Sequence, residues 1–270
     1  MTTAVHTQES AQPVRLTVAI LTLNEEKRIA QCIRSAAFAD QIVVVDSGSR
    51  DQTREIAASM GAEVHLYPDW QGFAVQRNRL LAHASGHYIF FLDADEEFTP
   101  ELVAEVQEAV DSSRDLIWEV MWNQVAFGKP LTRMRTTSGV QRLFKRTSIR
   151  EFVGIVHESA QMVTPGMSVH RFKARLLHYS RESIHGSLLK LAQYAQLGAA
   201  KRARAGKRGG VVLGLFSSFA TFVRLYLFRG GILCGPQGFL FCLLVALEGF
   251  FRYAALEYDH GQLDTTAVRG

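Results

Sequence analysis

Two aspartates one residue apart, Asp93 and Asp95, close the run Phe90-Phe91-Leu92-Asp93-Ala94-Asp95-Glu96-Glu97. At a strand end or in a tight turn, both carboxylates of such a pair could face one cation. Hard divalent ions such as Mg2+ or Mn2+ take oxygen ligands and share them with a substrate's phosphates. The same acids also read as a solvated turn leading into a helix begun at Thr99-Pro100-Glu101. Asn24-Glu25-Glu26 and Asp46 likewise follow apolar runs. Arg77 and Arg79, with Asn78 between them, offer two cations and an amide donor to phosphate oxygens. On a helix these two arginines point in different directions, so one faces a site and the other a solvated surface.

The elements that must hold these groups are legible from periodicity. Leu16–Leu23 reads as a strand, and a helical pattern after Asn24 puts Ile29, Ile33 and Ala37 on one face, with Asn24 suited to N-cap it. Gln41–Asp46 is a β-branched strand followed by the turn Ser47-Gly48-Ser49-Arg50-Asp51. A helix over Gln52–Met60 with Gly61 as C-cap, a strand over Ala62–Tyr67, a helix over Gln71–Ser85 and a strand over Tyr88–Leu92 complete the alternation. Short alternating strands and helices predict an α/β domain with a largely parallel sheet. In such sheets ligands bind beyond the carboxyl ends of the strands, where Asn24, Asp46 and Asp93 all fall.

Composition sets bounds on function. The chain has 270 residues, 47% hydrophobic and 21% charged, enough for a packed core, with a net charge of +4. Basic residues crowd 129–150 and 201–208, which points to phosphates or a lipid surface. No helix-turn-helix, zinc-finger or RRM signature supports nucleic acid. Cys32, Cys234 and Cys242 are odd in number and far apart, so neither a zinc site nor a disulfide framework is indicated. Met1–Pro13 is polar and lacks the apolar segment of a secretory signal, so a disordered lead-in over 1–14 is expected. Neither a G-x-G-x-x-G fingerprint nor a P-loop follows the first strand, and Asn24-Glu25-Glu26 is the opposite of the basic, glycine-rich loop of nucleotidylyltransferases.

Four motifs in order resemble the family 2 inverting glycosyltransferases of GT-A fold: Leu21–Glu26, Val44–Thr53, Gln76-Arg77-Asn78 and Leu92–Glu96. The resemblance implies a Rossmann-like, mostly parallel sheet with helices on both faces. It also implies a UDP-sugar donor contacted by Thr22, Asn24, Glu26, Asp46, Asp51, Arg77, Asn78, Asp93 and Arg142. Asp46 would hold the uracil and Asp93 the ribose or metal. Asp95 would be the main ligand of Mg2+ or Mn2+.

Further segments resemble a narrower group, the lipopolysaccharide core glucosyltransferases: Arg142–Arg146, Val156-His157-Glu158, Leu177-His178-Tyr179, Lys190–Tyr194, Gly206-Lys207-Arg208 and Phe228–Ile232. That implies glucose as the sugar and a lipid-linked or lipopolysaccharide-core saccharide as acceptor. An acceptor on a polyprenyl phosphate, or a non-catalytic sugar-nucleotide-binding membrane protein, is the rival. Two departures stand out. Thr136–Val140 replaces a Trp-containing acidic segment near the expected acceptor, and Leu233-Cys234-Gly235 replaces Leu-Asp-Gly.

Inverting transfer needs one general base. Among Glu119, Glu151 and Glu158, the expectation is Glu158, which follows His157 in the His-Glu motif. His157 would bind metal, bind phosphate or orient its loop, and His178 reads as a core histidine. Arg142, Lys145 and Arg146 would bind phosphates or form a solvated face. The expected division is a GT-A domain over 15–185, with its nucleotide half at 16–110 and acceptor half at 111–185. A helical, basic and apolar region over 186–258 and a tail over 259–270 follow. In that region, Val211–Phe228 is interrupted by Arg224, and Ile232–Phe251 carries Pro236, Gln237 and Glu248. Amphipathic helices on the anionic cytoplasmic leaflet of the inner membrane are expected, with core helices or a spanning hairpin as alternatives.

Overall fold

The computed structural model describes residues 14–135, 139–154, 158–259 and 263. In chain order the elements are β1 (Leu16–Thr22), α1 (Ile29–Ser35), β2 (Gln41–Asp46), α2 (Thr53–Ser59), β3 (Glu63–Leu66), α3 (Phe73–His83) and β4 (Tyr88–Asp93). They continue with β5 (Glu96–Glu97), α4 (Pro100–Asp111), β6 (Ile117–Ala126), β7 (Lys129–Pro130), β8 (Val140–Lys145), β9 (Ile149–Val153) and β10 (Ser159–Met162). Last come β11 (Val169–Arg181), α5 (Ile184–Arg204), α6 (Val211–Val223) and α7 (Gly235–Tyr258). Two compact units result, and they do not follow chain order. The first holds residues up to Ala94 with Val103–Glu119 and Gln141–Arg171; the second holds Asp95–Leu102, Val120–Val140 and everything from Phe172.

The first unit is built on strands in the order β3-β2-β1-β4-β8. The first four are parallel, and β8 runs antiparallel along β4. Every residue of β1 is buried, as are Val43–Val45 and Tyr88–Leu92, which is why these segments read as unbroken apolar runs rather than alternating ones. Helix α1 packs against α2, and α3 packs on β1 and β2. Phe91, Phe144 and Phe152 meet edge to face, closing the core under the β9–β10 hairpin. Gly86 stops the segment after α3 where a Cβ would lie 2.6 Å from the Thr17 backbone nitrogen, so the chain passes only without a side chain.

Two local expectations need correction. Helix α1 starts at Ile29, not after Asn24, and buries Ile29, Cys32 and Ile33 while Ala37 stays exposed beyond its end. Asn24 caps nothing; it sits at φ +55° in the left-handed region. Thr99 does begin α4, its hydroxyl accepting from the Leu102 amide at 3.3 Å.

In the second unit β6, β11 and β5 are neighbours in that order, and β7 pairs antiparallel with β6. Ser183 caps α5, accepting from the Gly186 amide at 3.0 Å. Both α5 and α6 pack along α7. Phe241 and Cys242 of α7 join Ala126, Leu131, Met134 and Leu225 in one apolar cluster. Glu248 of α7 is held by Arg252 at 2.7 Å and Arg181 at 3.5 Å. The two apolar stretches differ in how much the chain covers them: 39% of the α7 stretch is buried, against 11% of the stretch that begins with α6. In contrast α6 turns Val212, Leu215, Phe216 and Phe219 outward on one face, with Phe216 72% and Phe219 70% exposed. A π-helical turn, Arg224–Phe228, follows α6.

Candidate active site

Register brings three of the expected residues to one edge of the first unit. Thr22 lies level with Asp46, and Leu21 with Asp93, so the carboxyl ends of β1, β2 and β4 coincide. Beyond β2, Asp46 orders its own turn. Its Oδ1 accepts from the amides of Gly48 (2.9 Å) and Ser49 (2.8 Å), and its Oδ2 from the Ser49 hydroxyl (2.5 Å). Gly48 adopts φ +102°, which the turn requires. The Asp46 carboxylate is fully buried, and both of its oxygens accept hydrogen bonds from its own turn.

The loops after β1 and β2 are laced together. The Asn24 amide donates to the Ser49 hydroxyl at 2.8 Å, and its Oδ1 accepts from the Arg50 amide at 2.9 Å. The Glu25 amide donates to Thr53 Oγ1, the Glu26 amide to Asp51 Oδ2, and the Gln52 amide to Glu26 Oε2. Burial works to raise the Asp51 pKa, but hydrogen bonds from the Thr53 hydroxyl and the Glu26 and Thr53 amides prevail and hold it below its ordinary value. Thr22 is buried, and its hydroxyl oxygen has no partner among the described residues.

Helix α3 contributes three consecutive side chains with three separate tasks. Gln76, fully buried, donates to the Ser47 hydroxyl at 2.9 Å and so braces the β2 turn. Arg77 donates through Nη2 to Asp93 Oδ1 at 2.8 Å, and its Nε lies 3.5 Å from Glu158 Oε1. Its Nη1 is buried with no partner among the described residues. Asn78 forms a reciprocal pair with the Phe152 backbone, 3.0 Å to the carbonyl and 2.7 Å from the amide. Asn78 thereby clamps α3 to β9, the strand that precedes Glu158. Arg79, one residue on, turns outward to Asp69 at 2.6 Å and lies over the Tyr67 ring.

Arg142 completes the cluster, donating to Asp93 Oδ2 at 2.7 Å. Both oxygens of Asp93 are thus engaged by buried guanidiniums. The basic trio in and just after β8 divides: Arg142 reaches Asp93, whereas Lys145 pairs with Tyr88 at the opposite end of β4 and Arg146 binds the Gly86 carbonyl. Of the candidate bases, Glu119 pairs with Arg171, Glu151 is exposed on β9, and Glu158 lies beside Arg77. His157 lies outside the described residues.

Within the second unit, the acids after Asp93 have different fates. Glu96 is buried and accepts from the Trp122 indole at 2.6 Å, while Glu97 accepts from the Tyr179 hydroxyl at 2.5 Å. Asp95 keeps a side chain whose one contact among the described residues is His178 Nε2, 3.4 Å from Oδ2. Gln124 donates to His178 Nδ1 at 3.1 Å, and its amide oxygen accepts from the Ser180 hydroxyl at 2.6 Å. A neutral His178 then carries its proton on Nε2, facing Asp95. Sequence reading treated His178 as a core histidine. Its pairing level with Glu96 across β11 and β5, and the Trp122 ring tilted against it, put it at the acidic motif instead. With its proton on Nε2, His178 orients the Asp95 carboxylate, and a carboxylate is the oxygen donor that Mg2+ or Mn2+ takes.

Residues 17–173 match the family model described as Glycosyl transferase family 2. The chain is 28% identical over 253 residues to the lipopolysaccharide core biosynthesis glycosyltransferase LpsC of Rhizobium meliloti strain 1021, spanning 91% of this chain and 93% of that one. It is 26% identical over 260 residues to an uncharacterized glycosyltransferase of Rickettsia typhi, spanning 90% and 86%. Among solved structures, S. aureus TarS 1-349 aligns over 92% of both chains at 17% identity and a TM-score of 0.47. Glucosyl-3-phosphoglycerate synthase from Mycobacterium tuberculosis, in complex with Mn2+, UDP-glucose and phosphoglyceric acid, aligns over 50% of this chain and 59% of that one at 24% identity and a TM-score of 0.39.

Proposed function

The chain belongs to glycosyl transferase family 2, and from that premise we propose an inverting transfer of glucose from UDP-glucose to a lipopolysaccharide-core saccharide. The observation that carries the donor half is the pair of buried arginines, Arg77 and Arg142, on Asp93, with Glu158 3.5 Å from Arg77. Two guanidiniums against one carboxylate favour a diphosphate at the carboxyl ends of β1, β2 and β4. Thr22 and the laced loop residues Asn24, Glu26 and Asp51 frame the nucleoside, and Asp46 and Gln76 hold the turn beneath it.

Glu158 is the base. It takes the proton of the acceptor hydroxyl as that oxygen bonds to the anomeric carbon; the bond from this carbon to the diphosphate oxygen breaks, and UDP leaves with the electron pair. Asp95, with His178 beside it, would hold Mg2+ or Mn2+, which supplies charge neutralisation for a departing diphosphate. Asp93 was expected as a second metal ligand. With both oxygens on arginines, it serves better to fix those arginines and to accept from a ribose hydroxyl through its remaining lone pairs.

The acceptor rests on the likeness to LpsC and on a lipid-facing surface in the second unit. The uncovered apolar side of α6 follows directly after the basic run Lys201–Arg208. This combination favours an anionic leaflet, at the cytoplasmic face of the inner membrane.

The test is a titration of purified protein with UDP, with and without Mn2+, beside Asp95→Asn. UDP should bind more tightly with Mn2+, and the variant should lose most of that gain. No UDP binding under either condition would sink the reading. Product analysis with core lipid against polyprenyl-phosphate-linked saccharide then decides the acceptor.

A further inference from the structure

A second group of ligating side chains lies on the β3 edge of the first unit's sheet. Alternation along β3 puts Glu63 and His65 on one face, and Tyr67 follows two residues on. His83 ends α3 against that face: its ring stacks on His65 at 3.5 Å between centroids and 9° between planes. His65 Nε2 lies 2.9 Å from Glu63 Oε1, and the other Glu63 oxygen accepts from Gln41 Nε2 at 2.9 Å. The Tyr67 hydroxyl lies 2.8 Å from His83 Nε2. One ligand atom from each of Glu63, His65 and His83 falls within 4.8 Å of the others.

We propose that Glu63, His65 and His83 bind one borderline divalent cation, with Zn2+ as the type. Two imidazoles and a carboxylate are a Zn2+ donor set, whereas Mg2+ takes oxygen ligands and keeps its waters. Zn–N and Zn–O bonds of about 2.0–2.2 Å at tetrahedral angles need ligand atoms about 3.3 Å apart. The three atoms must therefore close by up to about 1.5 Å. A parallel stack cannot place one ion in both ring planes, so His65 turns about its Cβ–Cγ bond on binding. Its side chain is 25% exposed and Glu63's 49%, which leaves room for that turn. Gln41 on Glu63 and Tyr67 on His83 are already in the outer positions that orient metal ligands.

The group sits away from the donor residues. Glu63 pairs with Val43, three residues before Asp46, and His83 ends α3 whereas Arg77 lies in its middle. Bound Zn2+ would pin an exposed four-residue edge strand to the end of α3, and the donor reading does not depend on it.

Tag-free full chain would be dialysed against Zn2+ alone, in excess Mg2+, for wild type, His65→Gln, Glu63→Gln and Asp95→Asn. One Zn2+ per chain is expected in wild type and in Asp95→Asn. His65→Gln and Glu63→Gln should each bind more weakly by more than the roughly 10–100-fold that loss of an outer partner costs. UDP binding should be unchanged in both, which checks the fold and keeps this result separate from the donor reading. Thermal stability should rise with Zn2+ in wild type alone of these three. No Zn2+ uptake by wild type, or equal uptake by wild type and both edge variants, would overturn the proposal.

Discussion

Asp93 and Asp95 look alike in sequence, yet replacing each with asparagine should give opposite signatures. Asp93 accepts from two buried guanidiniums at 2.8 and 2.7 Å. Asparagine keeps one acceptor but turns an NH2 toward the other arginine, leaving two buried cations without their shared counter-charge. Hydrogen bonds to charged groups are worth about 1.5–3 kcal/mol each, and removing one partner of a buried ion pair costs about 3–5 kcal/mol. The Asp93 side chain is 36% exposed, so water recovers part of this, and about 2–4 kcal/mol is the expected loss. For a chain of this size that corresponds to roughly 4–16 °C in melting temperature. Asp95 offers one long contact to His178, so Asp95→Asn should cost under about 1 kcal/mol while removing the Mn2+-dependent gain in UDP affinity. Thermal and urea denaturation of both variants, beside UDP titration, make the comparison. Equal losses of stability, or a loss under about 1 kcal/mol for Asp93→Asn, would refute the assignment of Asp93 to the arginines.

Asn24→Ala should lose about 2 kcal/mol, from the left-handed backbone and the bond to the Arg50 amide, while Asn24→Gly should recover the strain. Indistinguishable melting of the two would exclude strain as the reason for asparagine there. Asn78→Ala strips both partners from the Phe152 backbone and should speed hydrogen exchange at the Phe152 amide; unchanged protection would remove the clamp. Either Phe216→Asp or Phe219→Asp should weaken flotation with anionic vesicles by roughly 30-fold, and added salt should weaken wild type, whereas flotation equal to wild type would leave α6 without a lipid role. Burial raises the Glu248 pKa despite Arg252 and Arg181. The folded chain therefore binds more protons at this site than the unfolded one, and stability present below about pH 4.3 is lost as pH rises. The melting temperature of wild type minus that of Glu248→Gln should fall from pH 4 to pH 7, and a constant difference would contradict this.

Sequence periodicity recovered β1, β2 and β4 almost to the residue, because buried parallel strands are largely unbroken apolar runs, whereas β8, β9 and β10 went unread. It also placed Asn24, Asp46 and Asp93 correctly at strand ends. What each side chain does there was not legible, since that depends on neighbours distant in sequence. Asp46 bonds within its own turn, and Asn78 bonds a strand 74 residues away. The two arginines of α3 were separable from helical geometry alone, and Arg77 does turn inward while Arg79 turns out. His178 was read from sequence as a core histidine because its place beside the acidic motif, level with Glu96, exists only once β11 and β5 are aligned. The two C-terminal apolar stretches have the same mean hydropathy, 1.8, so composition could not tell the packing helix from the uncovered one.

The uncovered side of α6 bears on how this enzyme's rate would be counted. If its phenylalanines enter a leaflet that also holds the proposed lipid-borne acceptor, enzyme and acceptor share a film, and the search between them runs in two dimensions. Turnover would then follow the mole fraction of acceptor in that film rather than its bulk concentration. Diluting the acceptor with inert lipid would slow the reaction at constant total acceptor, while adding buffer would leave it nearly untouched.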